Sequence, residues 1–316
     1  MITIDKAPPY LTVQDAGRKK SRSAGVPPGG AMDSFALCVA NALVGNAPDM
    51  AVLEWALGGG SIRFERDCVF ALAGANALAA LSGSDVAPCT TTYARAGEIL
   101  SVQKIVDGRF LYVACNGGFD VPLLLGSRST YLPGRFGGAR GQTLKTGDSL
   151  VLGAAVSAAP AAGFHCAPDL MPRYDGGILH VTRGTHYEMF DDASRRTFAE
   201  SSYRISTASD RTGYKLEGPA IANSLGTLPS EAGCPGTIQV PADGAPICLM
   251  ADAPTVGGYP KIAVVSEADL PILAQRRPGD SIRFELITIE QSQRALKRRA
   301  SDLNAVIHSA NRAPRD

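Results

Sequence analysis

The sequence predicts a mainly β protein of barrel or sandwich type. Three observations carry that reading. Apolar runs are short and bounded by Gly, Pro, Asp or Asn, the punctuation of strands and turns. A turn of the form Gly-acid-x-aliphatic recurs at Gly97, Gly147 and Gly279, each time opening an apolar run. Helical periodicity is confined to a few segments.

In chain order, strands are expected at residues 61–65, 69–73, 110–114, 178–182, 247–251, 262–265 and 281–289. A helix is expected over 32–44, where Met32, Phe35, Ala36, Val39, Ala40 and Leu43 recur at helical spacing and Gly45-Asn46 stops the run. A second, shorter one fits 267–275, with Pro271 confined to its first turn. The tail over 289–310 spaces Ile289, Leu296 and Leu303 seven apart, opposite a basic face of Arg294, Lys297, Arg298 and Arg299. That stripe predicts a helix docked on the fold.

Ser-Ile-Arg-Phe occurs at Ser61 and again at Ser281. Each copy follows a helical segment and a glycine turn, which hints at two related β subdomains. The Ala- and Pro-rich stretch 151–172 reads as the linker between them. The expected division is 1–165, 173–290 and a helical tail, 291–316.

Composition narrows the function classes. A chain of 316 residues with 45% hydrophobic and 19% charged content can build a real core. A net charge of +1 gives no general case for nucleic acid or an acidic membrane surface. The local cluster Arg18, Lys19, Lys20 and Arg22 reads as a solvated turn or as an anion- or partner-facing loop. Seven cysteines without a Cys-x-x-Cys pair suit free thiols in a reducing cytosol, with Cys68 and Cys248 in apolar runs. The apolar stretch from Cys68 to Leu81 is too short to span a bilayer. A soluble cytoplasmic protein is expected.

The usual chemistry motifs are missing. There is no phosphate-binding Gly-x-x-x-x-Gly-Lys loop, nucleophile elbow, His-Glu-x-x-His or Met-Lys biotin acceptor. His165, His180, His186 and His308 show no ligand spacing, so no metal site is expected. What remains is three glycine-framed polar segments, Gly25-Val-Pro-Pro-Gly-Gly-Ala-Met-Asp33, Gly126-Ser-Arg-Ser-Thr-Tyr-Leu132 and Gly257-Gly-Tyr-Pro-Lys-Ile-Ala263. Glycine and proline hold such loops in fixed shapes, which suits recognition of a small polar molecule.

The candidate site residues come from these segments and their neighbours. Asp33 can cap a helix or face a ligand. In Ser127-Arg128-Ser129-Thr130, three hydroxyls surround one guanidinium, which can take a carboxylate or phosphate or can pin strands through carbonyls. Asp210 and Arg211 are adjacent, so at least one should pair elsewhere, with Tyr214 nearby. Asp252, Thr255, Tyr259 and Lys261 share ten residues with two glycines, and the lysine can neutralise an oxyanion or sit as a surface residue. Gln239 and Asp243 can recognise an amide or close a turn. Glu54 lies in an otherwise apolar run.

These segments, together with Val13-Gln-Asp-Ala-Gly-Arg18, Asn116-Gly-Gly-Phe-Asp-Val-Pro122, Ser209-Asp-Arg-Thr-Gly-Tyr214, Pro235-Gly-Thr-Ile-Gln-Val-Pro241 and Arg277-Pro-Gly-Asp-Ser-Ile-Arg-Phe284, resemble the C-type, or KipA-type, component of bacterial 5-oxoprolinase. That family is similar to half of the carboxyltransferase domain of urea carboxylase. The sequence departs from the pattern at Gly30, where Ser is expected, and at Thr212, where Met is common. The resemblance implies two cyclophilin-like β-barrel lobes with a few short helices and a C-terminal helix. It implies a component that opens the lactam of 5-oxoproline to L-glutamate with ATP, in complex with B-type (KipI-like) and A-type (LamB/YcsF-like) partners. ATP would serve the assembly, and this chain would carry no covalent biotin. On that picture Arg128, Ser129, Thr130, Arg211, Tyr214, Gln239, Thr255 and Tyr259 bind substrate, and Asp33, Asp210, Asp252 and Lys261 act in catalysis. The alternatives are a carboxyltransferase component of a biotin-dependent urea or amide carboxylase, and a non-enzymatic antagonist of a kinase inhibitor.

Overall fold

The computed structural model describes residues 1–155, 158–172 and 174–314. The chain forms two compact units, one of 1–18, 29–171 and 301–316, the other of 19–28 and 172–300. Both are built mainly of β-strands, as the turn spacing predicts.

The first unit holds β1 (Ile2–Lys6), β2 (Tyr10–Gln14), β3 (Val52–Ala56), β4 (Gly60–Phe64), β5 (Cys68–Leu81), β6 (Ser84–Asp85), β7 (Thr92–Ala94), β8 (Ile99–Cys115) and β9 (Ser149–Leu150). They form one sheet with the path β2-β3-β8-β4-β1-β9, and β5 pairs with β6, β7 and β8. Long β8 is the organiser: it pairs β3 through Leu53↔Val113 and β4 through Gly60↔Val102, with β5 along its other edge. Register shifts between Gly74 and Ala79 in β5 let so long a ribbon twist and curl. Ile2, Ile4, Leu11, Trp55, Phe64 and Phe70 fill its core. Helix α1 (Ser34–Leu43) packs against β5 and β8. Asp33 caps it, accepting the Ala36 N–H at 2.9 Å.

Gly117, from the Asn116-Gly-Gly motif, is held at φ +88°, and a Cβ there would lie 2.3 Å from the Gly153 carbonyl oxygen. Its own N–H donates to Asn46 Oδ1 at 2.8 Å. A Gly117→Ala variant is expected to lose at least about 1–3 kcal/mol, because both the left-handed backbone and the close approach exclude a side chain. Urea unfolding of wild type and variant checks this.

The second unit holds β10 (Ile178–Arg183), β11 (Ser202–Ile205), β12 (Gly213–Glu217), β13 (Glu231–Ala232), β14 (Thr237–Gln239), β15 (Ile247–Leu249), β16 (Val256–Gly257), β17 (Lys261–Val265) and β18 (Ser281–Leu286). Seven of them close a barrel, β10-β17-β14-β15-β12-β11-β18, while β13 and β16 form a separate ribbon. Closure removes exposed sheet edges. The two Ser-Ile-Arg-Phe copies are β4 and the start of β18, and in both the Ile and Phe are buried. Phe64 packs on Phe70 in the first unit, and Phe284 stacks on Phe198 at 4.8 Å in the second.

Helix α2 (Asp192–Glu200) is one that periodicity does not predict. It buries only Ser194 and Phe198, too thin a stripe to show. The segment 267–275 forms only a short α3 (Leu270–Ala274). Helix α4 (Ile289–Arg312) forms, but the heptad stripe does not dock it: Ile289 is 64% and Leu296 38% exposed. Its buried residues are Val306 and Ala310, an i, i+4 pair whose small side chains allow close approach. Residues of α4 through Ala300 belong to the second unit and those from Ser301 to the first.

The stretch read as a linker includes Val156 and Ser157, which lie outside the described residues. Its described part pairs within the first unit, through Thr90↔His165 and Phe119↔Leu152. Arg173, where the second division was expected to start, and the tail residues Arg315 and Asp316 also lie outside the described residues.

Candidate functional site

The polar segments of the first unit converge on a carboxylate, Asp15, that just follows β2. It accepts from Ser127 Oγ at 2.6 Å, Ser129 Oγ, the Gly17 N–H at 2.8 Å and the Arg128 N–H at 2.5 Å. Thr130 Oγ1 donates to the Val13 carbonyl at 3.0 Å. The hydroxyls therefore do not surround Arg128, as their sequence suggested. Alternation in an extended segment sends Ser127 and Ser129 to one side and Arg128 to the other. The Arg128 guanidinium meets Asp120 at 3.3 Å at the surface. Arg18, read as part of a solvated turn, is buried: it donates to the Ser129 carbonyl and lies 4.9 Å over the Phe136 ring. Asp15 with Asp49, Asp120 and Arg128 lines a cleft of about 220 Å³.

Asp33 is fully buried. Its N–H donates to Tyr112 Oη, which in turn donates to Glu54, both at 2.8 Å. Burial, then the nearby Glu54 charge, pushes the Tyr112 phenol well up. The geometry of Asp33 is that of a helix cap inside a sealed polar network.

In the second unit the expected residues separate into locked and available groups. Arg211 and Asp252 lock each other, Nε to Oδ2 at 2.8 Å and Nη2 to Oδ1 at 2.9 Å, both almost fully buried. Asp210 closes its own turn, accepting the Thr212 and Gly213 N–H groups at 2.8 and 3.2 Å. Tyr214 lies in the barrel core with its hydroxyl donating to the Ala274 carbonyl at 2.8 Å. Asp243 likewise caps a turn, at Ala245. Thr255 is half-buried beside the β16 ribbon, and Tyr259 is exposed.

Lys261 and Gln239 are different. They are register partners on β17 and β14, so their side chains leave the sheet on one face. Lys261, only 4% exposed, donates through Nζ to Glu231 Oε2 at 3.0 Å and to the Ala232 carbonyl at 2.9 Å. Two of its three ammonium hydrogens are thereby used. Its backbone N–H donates to His186 Nδ1 at 3.1 Å. That bond fixes the imidazole as the Nε2–H tautomer, aimed at Glu231 Oε1, 3.6 Å away. Gln239 is 6% exposed as a residue; its amide makes no protein hydrogen bond among the described residues, and its polar atoms are not sealed from solvent. A Cβ on Gly257, which pairs with Glu231, would stand 3.0 Å from Gln239 Nε2. Glycine at 257 thus leaves the amide its room.

The Lys261 hydrogen bond and charge, with His186 adding to them, hold the Glu231 carboxyl below its ordinary value of 4.5. A depressed folded value means the pair stabilises the protein above pH 4.5 and loses that contribution as the pH falls through the folded value. A Glu231→Gln variant should therefore differ from wild type in melting temperature near pH 7, with the difference closing at acid pH. Melting curves from pH 3 to 7 check this.

Sequence reasoning missed Glu231 and His186. Neither carries a motif; Glu231 comes from the β13–β16 ribbon and His186 from the turn after β10, and only the folded unit brings them to Lys261. Asp15 lies within Val13-Gln-Asp-Ala-Gly-Arg18, a stretch that shows the resemblance without marking the carboxylate as a site residue. Among the described residues no group of three His, Cys, Asp or Glu could hold a metal ion. No helix among them is long and apolar enough to cross a membrane. None of the seven cysteines, all of them described, forms a disulfide.

A profile for the carboxyltransferase domain, subdomain A and B, matches residues 24–286. The chain belongs to this family. It is 38% identical over 296 residues to the C component of Escherichia coli 5-oxoprolinase, covering 93% of this chain and 94% of that one. The crystal structure of Kluyveromyces lactis urea carboxylase matches with a TM-score of 0.88 and 30% identity, over 96% of this chain but 29% of that one. The crystal structure of TTHA0988 matches at 0.81 and 32%, over 90% of this chain and 55% of that one. The resemblance seen in the motifs is thus real, and the fold is that of the carboxyltransferase region of urea carboxylase. Every site residue expected from the sequence, from Asp33 to Lys261, falls inside the matched carboxyltransferase span.

Proposed function

We propose that this carboxyltransferase-family chain is the C-type component of an ATP-dependent 5-oxoprolinase, working with B-type and A-type partners. The observation that carries the reading is the almost fully buried Lys261 ammonium, with one hydrogen uncommitted, on the same face as its register partner Gln239. The Gln239 amide makes no protein hydrogen bond among the described residues and is open to solvent, so a ligand can reach it. One remaining ammonium hydrogen and one amide suit a carboxylate or a developing oxyanion next to a lactam N–H. A single cation suits one carboxylate and not a triphosphate, so ATP would bind on a partner polypeptide. The name of the Escherichia coli relative supports the same reaction.

In that assembly, transfer of the γ-phosphoryl group of ATP to the lactam oxygen would make the ring carbon electrophilic. Water would then add at that carbon and the C–N bond would open to give γ-glutamyl phosphate, which a second water would cleave to L-glutamate and phosphate. Lys261 would hold the substrate carboxylate, and Gln239 would orient the amide. Glu231 and His186 would keep Lys261 in place.

The test is glutamate release from 5-oxoproline plus ATP, using this chain with both partners and with each component omitted in turn. Turnover that disappears without this chain is expected. A folded, complete assembly with no turnover would sink the reading. The fold of urea carboxylase favours a second one, carboxyl transfer from carboxybiotin to an amide or urea nitrogen. Activity that needs a biotin carrier and is blocked by avidin would establish it instead.

A further inference from the structure

We propose that the hairpin tip Leu123-Leu124-Leu125 of the first unit is the apolar centre of an interface with a partner polypeptide. That partner is the equivalent of the stretch of TTHA0988 outside the match. The proposal rests on the assembly part of the proposed function, not on its reaction.

Three consecutive leucines stand at 60%, 41% and 52% exposure. Val151, 56% exposed, adjoins the base of the hairpin, where its carbonyl accepts the Asp120 N–H at 2.9 Å. A solvated turn normally carries Gly, Asn, Asp or Ser, and contiguous exposed apolar groups mark interaction sites. The tip is also firmly built. Leu124 and Ser127 exchange both backbone hydrogen bonds, at 2.8 and 3.2 Å. Leu125 is held in the left-handed region at φ +55°. The base is fixed by the Ser127 hydroxyl and the Arg128 N–H on Asp15. A preorganised tip loses little freedom on docking.

The surroundings and the relatives identify the occupant. Asp49 and Asp120 are exposed at the rim, with Arg128 reaching only Asp120. The partner would therefore present an apolar pocket edged by basic groups. A standard interface covers about 800 Å² on each side, with an apolar core inside a polar rim. Three leucines and a valine fit that core. This chain matches 55% of TTHA0988, so the same fold there is joined to a second stretch of comparable length. A folded polypeptide of that size is the neighbour such a tip would receive.

The test is titration calorimetry of the full chain with the purified B-type partner. The double variant Leu123→Asp with Leu124→Asp should weaken Kd at least tenfold with an unchanged melting temperature. Leu78→Asp, also exposed in the first unit, should stay within twofold of wild type. An unchanged Kd for the double variant overturns the proposed surface and leaves the assembly intact. Absence of wild-type binding overturns both. A wild-type homodimer that the double variant abolishes, with partner affinity unaltered, overturns it in favour of a second copy of this chain. Should the double variant fail to fold, hydrogen exchange on the wild type decides: residues 121–127 must gain protection when the partner is added, and no gain overturns the proposal.

Discussion

Replacing Asp252 with alanine is expected to destabilise the second unit by about 3–5 kcal/mol, since it leaves the buried Arg211 guanidinium without its counter-charge. The pair is bidentate, and both side chains are almost fully buried. Its Coulomb attraction offsets the cost of taking two ions out of water only while both are present. The backbone is tied at the same point, since the Asp252 N–H donates to the Arg211 carbonyl at 2.9 Å. At about 2–4 °C per kcal/mol for a protein of intermediate size, the melting temperature should fall by roughly 6–20 °C. The conservative Asp252→Asn keeps shape but not charge and should also lose stability. Calorimetric melting of the purified chain checks both. A fall below about 1 kcal/mol would mean the pair is not desolvated as the geometry requires.

Lys261→Ala is expected to lower kcat/KM of the proposed oxoprolinase assembly by roughly 10²–10³-fold, the scale of losing the buried charge that would hold the substrate carboxylate. Its effect on stability should be small by comparison. Glu231, the carboxylate left behind, is half exposed and can be hydrated. The contrast with Asp252 is the useful feature: one substitution removes stability, the other removes activity from a folded chain. Lys261→Arg keeps the charge but not the compact ammonium, and should recover only part of the rate. An assembly whose turnover is untouched by Lys261→Ala would place the chemistry away from this cluster.

Much of the fold was legible because its signals are local. The glycine-acid turns lead into β8, β9 and β18, where they were expected. The α1 helix and its Asp33 cap follow from spacing and capping chemistry within a few residues. The docking face of α4 was not legible, because periodicity marks a stripe but not which turns of a helix meet a neighbour. Among the candidate site residues, proximity in sequence was a poor guide. Asp252 and Lys261 lie within ten residues, yet Asp252 is consumed by Arg211 while Lys261 joins Glu231 and His186.

The sequence alone determined the β class, the positions of the turns, the capping of α1, the family and the pool of polar residues from which a site could be drawn. These depend on φ/ψ preferences, on alternation and on motifs a few residues long. Tertiary structure alone decided which of those polar groups are spent and which remain. Arg211 finds Asp252 across 41 residues, Lys261 finds Glu231 across 30, His186 meets the Lys261 backbone across 75, and Ser127 meets Asp15 across 112. The turns and loops that the paired strands bring together set those meetings. Desolvation then forces each buried charge to find a partner, and the one uncommitted hydrogen of Lys261, with the solvent-reached Gln239 amide, is what a ligand can use.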